Sequence, residues 1–138
     1  MNTHHHVQRV VLIDDSENDN FFHEIALRKA GFGGEVRIFE SGESALDFLL
    51  QDRVSVPTVV FLDINMPGMN GFEVARALSD QLRPQAELQL NMLTSSAWSV
   101  DKATAESIGL IQHYLVKPLT PDMAADLIGQ PESVRQAQ

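Results

Sequence analysis

The distribution of apolar residues along the chain predicts five short strands. The first run is rich in β-branched side chains and stops on carboxylates, which is typical of a strand buried on both faces of a sheet. The first run reads RVVLID and the third, which follows Pro57, reads TVVFLD, so both end on a carboxylate. The five predicted strands are residues 9–14, 35–39, 58–63, 88–93 and 112–116.

Amphipathic segments between these runs predict helices. Ser16 and Ser41 stand where a side-chain oxygen caps a helix, and Gly31 is a stop signal. In the first helix, the residues with helical spacing are Phe22, Ile25, Ala26 and Lys29. Alternation of strands and helices predicts an α/β fold with a parallel sheet and helices on both faces, because each right-handed crossover has to cover the sheet. The predicted helices are residues 16–30, 42–50, 72–82, 100–108 and 121–128.

The length and composition agree with one compact domain. The chain has 138 residues, of which 43% are hydrophobic, enough for a single core. We expect a flexible leader at 1–8, one domain at 9–129 and a tail at 130–138. The histidines at 4–6 are interpreted as an inert leader or tag remnant.

The charge and the missing residue types exclude several functions. Nineteen acidic against ten basic residues give a net charge of −9, which would repel nucleic acid and anionic lipid. Partners should therefore be proteins, metal ions or small ligands. With no cysteine, a disulfide framework, a thiol nucleophile and a cysteine-based metal site are excluded. No apolar run approaches the ~20 residues needed to cross a bilayer, so we expect a cytoplasmic protein.

Polar side chains follow four of the predicted strands. In an open parallel sheet, ligands bind outside the carboxyl ends of the strands. Asp14 and Asp15 end the first strand, Asp63 the third, Thr94 the fourth and Lys117 the fifth. Carboxylates that converge repel each other, and a hard divalent cation bound through oxygen relieves that repulsion. Mg²⁺ fits best, because it uses few carboxylates and leaves positions for phosphoryl oxygens.

The same residues suggest a reaction. A carboxylate can act as the nucleophile in phosphoryl transfer and form an aspartyl phosphate, if the charge on the transferred group is neutralised. Lys117 and the metal could supply that charge. The Thr94 hydroxyl could then donate to a phosphoryl oxygen and move inward only when that group is present. Taken alone, Asp14 and Asp15 would more often be a turn and a helix cap.

Four sequence blocks resemble the receiver domains of bacterial response regulators, of the stand-alone CheY-like type. They are LIDDS at 12–16, FLDINMPGMNGFE at 61–73, MLTSS at 92–96 and YLVKP at 114–118. The blocks occur in family order, and the resemblance spans about residues 9–128. It implies a flavodoxin-like fold with five parallel strands in the order 2-1-3-4-5.

The resemblance also implies roles for the residues. Asp63 would accept a phosphoryl group from a histidine kinase or phosphotransfer protein. Asp15 would bind Mg²⁺ directly and Asp14 mainly through water, while Asn65 would offer its backbone carbonyl. With no output domain in view, we expect the protein to bind a downstream protein or to pass the phosphoryl group on.

Three further residues would respond to the phosphoryl group, and two of them, Thr94 and Tyr114, would form the switch. Lys117 would pair with the phosphoryl group, Thr94 would sense it, and Tyr114 would turn between exposed and buried rotamers. The output face would be the fourth helix, fifth strand and last helix. The resemblance, together with the sharp turn needed there, predicts a cis bond between Lys117 and Pro118.

Some positions depart from the family. Asn91 is polar where the family usually has an aliphatic residue, so we expect it to be hydrogen-bonded or at an exposed strand end. Ser96 and the Asn65 side chain lie where the family tunes the phosphoryl lifetime.

Three other functions were weighed. A haloacid-dehalogenase-type phosphatase needs an acid two residues after the nucleophile, where this chain has Asn65. A flavin-binding module needs a phosphate loop after the first strand, but DDSEND at 14–19 is anionic. A receiver that is never phosphorylated remains open, although the complete set of site residues argues against it. We therefore expect a signalling switch that catalyses its own phosphorylation and dephosphorylation, and no separate enzyme activity.

Overall fold

The computed structural model describes residues 7–82, 86–95 and 102–129. The histidines at 4–6, Ser96 and the tail at 130–138 lie outside the described residues.

Within the described residues the chain forms five strands and five helices in strict alternation. The strands are β1 (Arg9–Ile13), β2 (Glu35–Phe39), β3 (Thr58–Asp63), β4 (Leu88–Thr94) and β5 (Ile111–Val116). The helices are α1 (Glu17–Lys29), α2 (Gly42–Asp52), α3 (Gly71–Gln81), α4 (Lys102–Ser107) and α5 (Pro121–Ile128). The strands form one parallel sheet in the order β2-β1-β3-β4-β5, which confirms the predicted fold class and strand order.

The register of the sheet places the polar strand ends together. Ile13 pairs with Leu62, so Asp14 and Asp63 follow these residues at the same edge. On the other side of β3, Asp63 pairs with Leu93, and Thr94 pairs with Val116 of β5. The carboxyl ends of four strands therefore form one continuous edge.

The core has two layers, one on each face of the sheet. Every residue of β1 and β3 is buried, whereas β2 and β5 alternate between exposed and partly buried positions. Val11, Val60 and Met92 pack with α2 and α3, whereas Leu12 and Phe61 pack with α1 and α5. Asp14 and Asp63 consequently extend from the two most rigidly held strands.

Side-chain caps fix where the helices begin. Ser16 accepts a hydrogen bond from the Asp19 N–H, and Ser41 accepts one from the Ser44 N–H, so both predicted caps are confirmed. Asn70 and Glu73 form a reciprocal capping box at the start of α3. The first turns of α1 and α3, which follow strands that end at the acidic edge, are therefore held in place.

The buried face of α1 differs from its apolar spacing. Phe22 is 60% exposed and contacts the equally exposed Phe21 edge to face. The buried residues instead include Asn20, whose amide donates to the Asp14 carbonyl at 2.9 Å, and His23. Ala26, which has the predicted spacing, is buried as well, so the buried face of α1 combines apolar and polar residues.

Asn91 is fully buried on β4 and is hydrogen-bonded, as expected for a polar core residue. Its amide donates to the Val60 carbonyl at 3.3 Å and to Gln89 Oε1 at 2.9 Å. Its Oδ1 has no hydrogen-bond partner among the described residues. The polar side chain is thus tolerated because its donor side is satisfied within the sheet.

A partly buried ion pair joins elements at the opposite edge of the sheet. Arg9 is only 4% exposed, donates to Asp52 Oδ2 at 2.7 Å and to Thr58 Oγ1, and stacks on the Phe48 ring. The hydrogen bond from Arg9 lowers the pKa of Asp52 from 3.8 to about 2. This contact ties the end of α2 to the first residues of β1 and β3.

Asp52→Asn should lower the free energy of unfolding by about 1–3 kcal/mol, because the buried guanidinium of Arg9 loses its ion pair. Since the folded-state pKa is lowered, the contribution is present above the ordinary value of 3.8 and is lost as the pH falls through about 2. Urea unfolding at pH 7 measures the effect, with the exposed Asp47→Asn on the same helix as control. Equal stability of the two variants would contradict the prediction.

Candidate functional site

Three carboxylates meet at the carboxyl edge of the sheet. Asp14, Asp15 and Asp63 each offer an oxygen within 4.8 Å of the others, a group that could hold a metal ion. Asp14 and Asp63 are 2% and 5% exposed, whereas Asp15 is open to solvent. An oxygen-only ligand set with one exposed member suits Mg²⁺, which keeps several of its waters.

Backbone contacts fix the position of Asp14. Its N–H donates to the Phe39 carbonyl at 3.1 Å, and its Oδ1 accepts from the Ser16 N–H at 2.9 Å. Together with the bond from Asn20 to its carbonyl, these contacts join the end of β1 to β2 and α1. Asp14 is consequently presented by a rigid junction.

Lys117 supplies the positive charge of the site. Its Nζ lies 2.6 Å from Asp14 Oδ2, 2.8 Å from Asp19 Oδ2 and 3.5 Å from Asp63 Oδ1. The Lys117 N–H donates to the Thr94 carbonyl at 2.8 Å, and the bond from Lys117 to Pro118 is cis, as predicted. Asp19 was not identified from the sequence, because acidic residues are common in the first turn of any helix.

The backbone at Gly71 packs closely against the backbone of Asp63 and Ile64. The Gly71 N–H donates to the Ile64 carbonyl at 2.9 Å and closes the loop that follows β3. A Cβ added at Gly71 would lie 2.4 Å from the Asp63 carbonyl oxygen, so any side chain there would displace the strand end. Asn65, in the same loop, is exposed, and its N–H is hydrogen-bonded to the Asp63 carboxylate.

Burial and charge change the protonation of the site. Burial, followed by the negative charge of Asp14, raises the pKa of Asp63 to about 6, against the opposing effects of Lys117 and the Asn65 N–H. Burial by itself lowers the pKa of Lys117, but its contacts with Asp14 and Asp19 outweigh this and hold the pKa above its usual range. At neutral pH the site therefore contains a charged lysine and an Asp63 that is costly to ionise.

Of the two predicted switch residues, Thr94 adjoins Lys117, and Tyr114 lies two positions before the end of β5. Thr94 is 1% exposed at the end of β4, next to Lys117 through its carbonyl. Tyr114 is half-buried on β5, with its hydroxyl buried and its ring 6.4 Å from the ring of Phe72. The structure thus brings together all seven predicted positions along one edge and the adjoining strands, and adds Asp19.

The sequence model of the protein family described as the response regulator receiver domain matches residues 10–128 of this chain. The chain belongs to the response-regulator receiver family. Similar solved structures include a two-component response regulator from Cytophaga hutchinsonii (29% identity, TM-score 0.78, 89% of this chain and 95% of that chain). A receiver protein from Dyadobacter fermentans is 32% identical (TM-score 0.73, 88% and 95%), and chemotaxis protein CheY4 from Vibrio cholerae is 26% identical (TM-score 0.69, 88% and 96%).

Two further features concern the receiver as a whole, the length of its helices and the bounds of its domain. None of its described helices is long and apolar enough to span a bilayer. The predicted division into leader, domain and tail stays a prediction, although the family match covers nearly all of the predicted domain.

Asp63→Asn should stabilise the metal-free receiver at pH 8 by roughly 1–3 kcal/mol, because it removes a buried charge. The folded-state pKa of Asp63 is raised, so its favourable contribution is present below 3.8 and is lost as the pH rises through about 6. The advantage of the variant should therefore shrink as the pH is lowered towards 4. Urea unfolding in chelator tests this, with the exposed Asp80→Asn as control; a variant less stable than wild type at pH 8 would refute it.

Proposed function

We propose that this receiver accepts a phosphoryl group on Asp63, in a Mg²⁺-dependent reaction, from a histidine kinase or phosphotransfer protein. The observation that supports this most is the position of Asp63, which lies 3.5 Å from the Lys117 ammonium and within 4.8 Å of two further carboxylates. A nucleophilic carboxylate, a cation and a metal-binding group are the components that phosphoryl transfer needs.

The reaction proceeds by attack of an Asp63 carboxylate oxygen on the phosphorus of a phosphohistidine. The new P–O bond forms as the P–N bond breaks, and the histidine leaves with the bonding electrons. Asp14, Asp15, Asp63 and the Asn65 carbonyl would hold Mg²⁺, which when bound neutralises charge on the phosphoryl oxygens. Lys117 provides the protein's own positive charge at the same place.

In this proposal the receiver catalyses only its own phosphorylation and dephosphorylation. Its charge of −9 disfavours direct contact with nucleic acid or anionic membranes, so its partners are proteins. The exposed Asn65 argues against a phosphatase, because an amide cannot donate and recover a proton. The cytoplasmic location expected from the sequence belongs to the same proposal.

The proposed output face is formed by α4, β5 and α5. Tyr114 lies in β5, and Lys117 directly follows that strand. β5 pairs with β4 as far as Thr94, so the strand connects Tyr114 to the site. A phosphoryl group that attracts the Thr94 hydroxyl and Lys117 would change the space available to Tyr114. A bias of a few kcal/mol between two positions of the Tyr114 side chain would invert their populations. The shape of the surface offered to a downstream protein would then change.

A small-molecule phosphodonor with Mg²⁺ should add one phosphoryl group to the intact protein as an acid-stable, base-labile acyl phosphate, read by mass spectrometry. Asp63→Asn should abolish the gain, because its amide is not a nucleophile, whereas the exposed control Asp47→Asn should keep it. Chelation of Mg²⁺ should also abolish it, since the neighbouring carboxylates would repel the donor. An undiminished mass gain in Asp63→Asn would rule out the assignment.

Beryllofluoride with Mg²⁺, a phosphoryl mimic, should change backbone NMR shifts across residues 94–118 as well as around the metal-binding carboxylates. The reason is that Thr94 and Lys117 connect the site to Tyr114 through β4 and β5. Thr94→Val keeps the shape but not the hydroxyl, and should confine the changes to the site. Wild-type shifts limited to Asp14, Asp15 and the 63–71 loop would contradict the proposed output route.

A further inference from the structure

Lys117 contacts a carboxylate that the proposed reaction does not use. Its Nζ donates to Asp19 Oδ2 at 2.8 Å, whereas Asp63 Oδ1, the proposed phosphoryl acceptor, is 3.5 Å away. The side chain of Lys117 is 14% exposed and that of Asp19 is 40% exposed, so the contact lies at the mouth of the site. The ammonium is thus drawn towards α1 and away from Asp63.

The position of Asp19 is fixed by its own helix. The Asp19 N–H donates to the Ser16 cap at 3.2 Å, and the neighbouring Asn20 is bonded to the Asp14 carbonyl. The first turn of α1 is therefore tied to the end of β1, which carries Asp14. This turn therefore fixes the backbone of Asp19 close to Lys117, so that its side chain can accept from the ammonium.

The geometry creates a competition for one cation. An ammonium group has three donor hydrogens, and Lys117 faces three carboxylates at 2.6, 2.8 and 3.5 Å. A phosphoryl group on Asp63 would bring further anionic oxygens to the most distant of these. For Lys117 to move towards it, the contact with Asp19 has to lengthen or break.

We propose that Asp19 is a positioning residue that holds Lys117 in a resting position on α1 and competes with the phosphoryl group on Asp63 for the ammonium. This inference rests on the proposed function. It gives Asp19 a regulatory effect, because the strength of the Asp19–Lys117 pair then limits how tightly the phosphorylated state is held. The partial exposure of Asp19 suits that role, since the pair is weak enough to be exchanged.

The first test measures the dissociation constant of beryllofluoride in excess Mg²⁺ by calorimetry. Asp19→Asn should bind about two- to five-fold more tightly than wild type, the size expected when a partly exposed ion pair is removed. Asp19→Glu keeps the charge and should stay close to wild type. Glu17→Gln, an exposed acidic residue in the same helical turn, controls for the helix dipole and for net charge, and should bind like wild type.

The second test asks whether the effect acts through the lysine. In a Lys117→Met background, Asp19→Asn should no longer tighten binding, whereas simple repulsion between Asp19 and the mimic would persist. In the metal-free protein, the ε-methylene NMR signal of Lys117 should shift in Asp19→Asn and not in Glu17→Gln. This second readout needs neither phosphoryl chemistry nor a lysine variant.

The possible results distinguish a failure of the proposed function from a failure of the role assigned to Asp19. A wild-type protein that binds no beryllofluoride contradicts the proposed function and, with it, this inference. A wild-type protein that binds, with Asp19→Asn no tighter or with an unmoved Lys117 signal, overturns only the role of Asp19. Tighter binding that depends on Lys117, together with the shifted signal, supports it.

Discussion

Two carboxylates, those of Asp14 and Asp63, are buried at the same edge of the sheet, and their charges have to be balanced there. Burial and the charge of Asp14 both raise the pKa of Asp63, so its ionised form depends on a nearby positive charge. Lys117 is the counter-charge, with its ammonium 2.6 Å from one and 3.5 Å from the other. The position of β5, which delivers this lysine, therefore matters as much to the site as the two strands that carry the acids.

The same lysine links the site to the rest of the molecule. Its backbone is bonded to the Thr94 carbonyl at the end of β4, and its side chain reaches the first turn of α1 through Asp19. A change in the charge on Asp63 would therefore act on α1 and on β5 through the same side chain. A small redistribution of one ammonium among its oxygen partners can bias two surfaces of the receiver, without rearrangement of the fully buried strands.

Much of this arrangement could be predicted from the sequence, because strand-end chemistry and element alternation are local signals. RVVLID and TVVFLD each place an aspartate directly after a buried run, and the rule for parallel sheets then brings both to one edge. The metal-binding group followed from the carboxylates at the strand ends, whereas the strand order came from the family resemblance. The cis bond at Pro118, which the resemblance and the sharp turn needed there predicted, is present.

Other features depend on tertiary contacts that no local pattern reveals. Asp19 resembles an ordinary first-turn acid, and only the fold brings it to a lysine 98 positions away. Phe22 has core-like spacing but is exposed. Asn20, which donates to the Asp14 carbonyl, and His23 lie on the buried face instead. Arg9 looks like the polar start of a strand, although Asp52 and Thr58 together make its burial tolerable.

If Lys117 is the shared counter-charge of this edge, its ammonium should follow the charge on Asp63. A high-resolution crystal structure of the receiver with Mg²⁺ and beryllofluoride on Asp63 tests it most directly, through the distances from Lys117 Nζ to its neighbours. We expect Lys117 Nζ to lie within hydrogen-bond distance of a fluoride. Its distance to Asp19 Oδ2 should then exceed the present 2.8 Å. An ammonium still bonded to Asp19, with no contact to the fluorides, would contradict it.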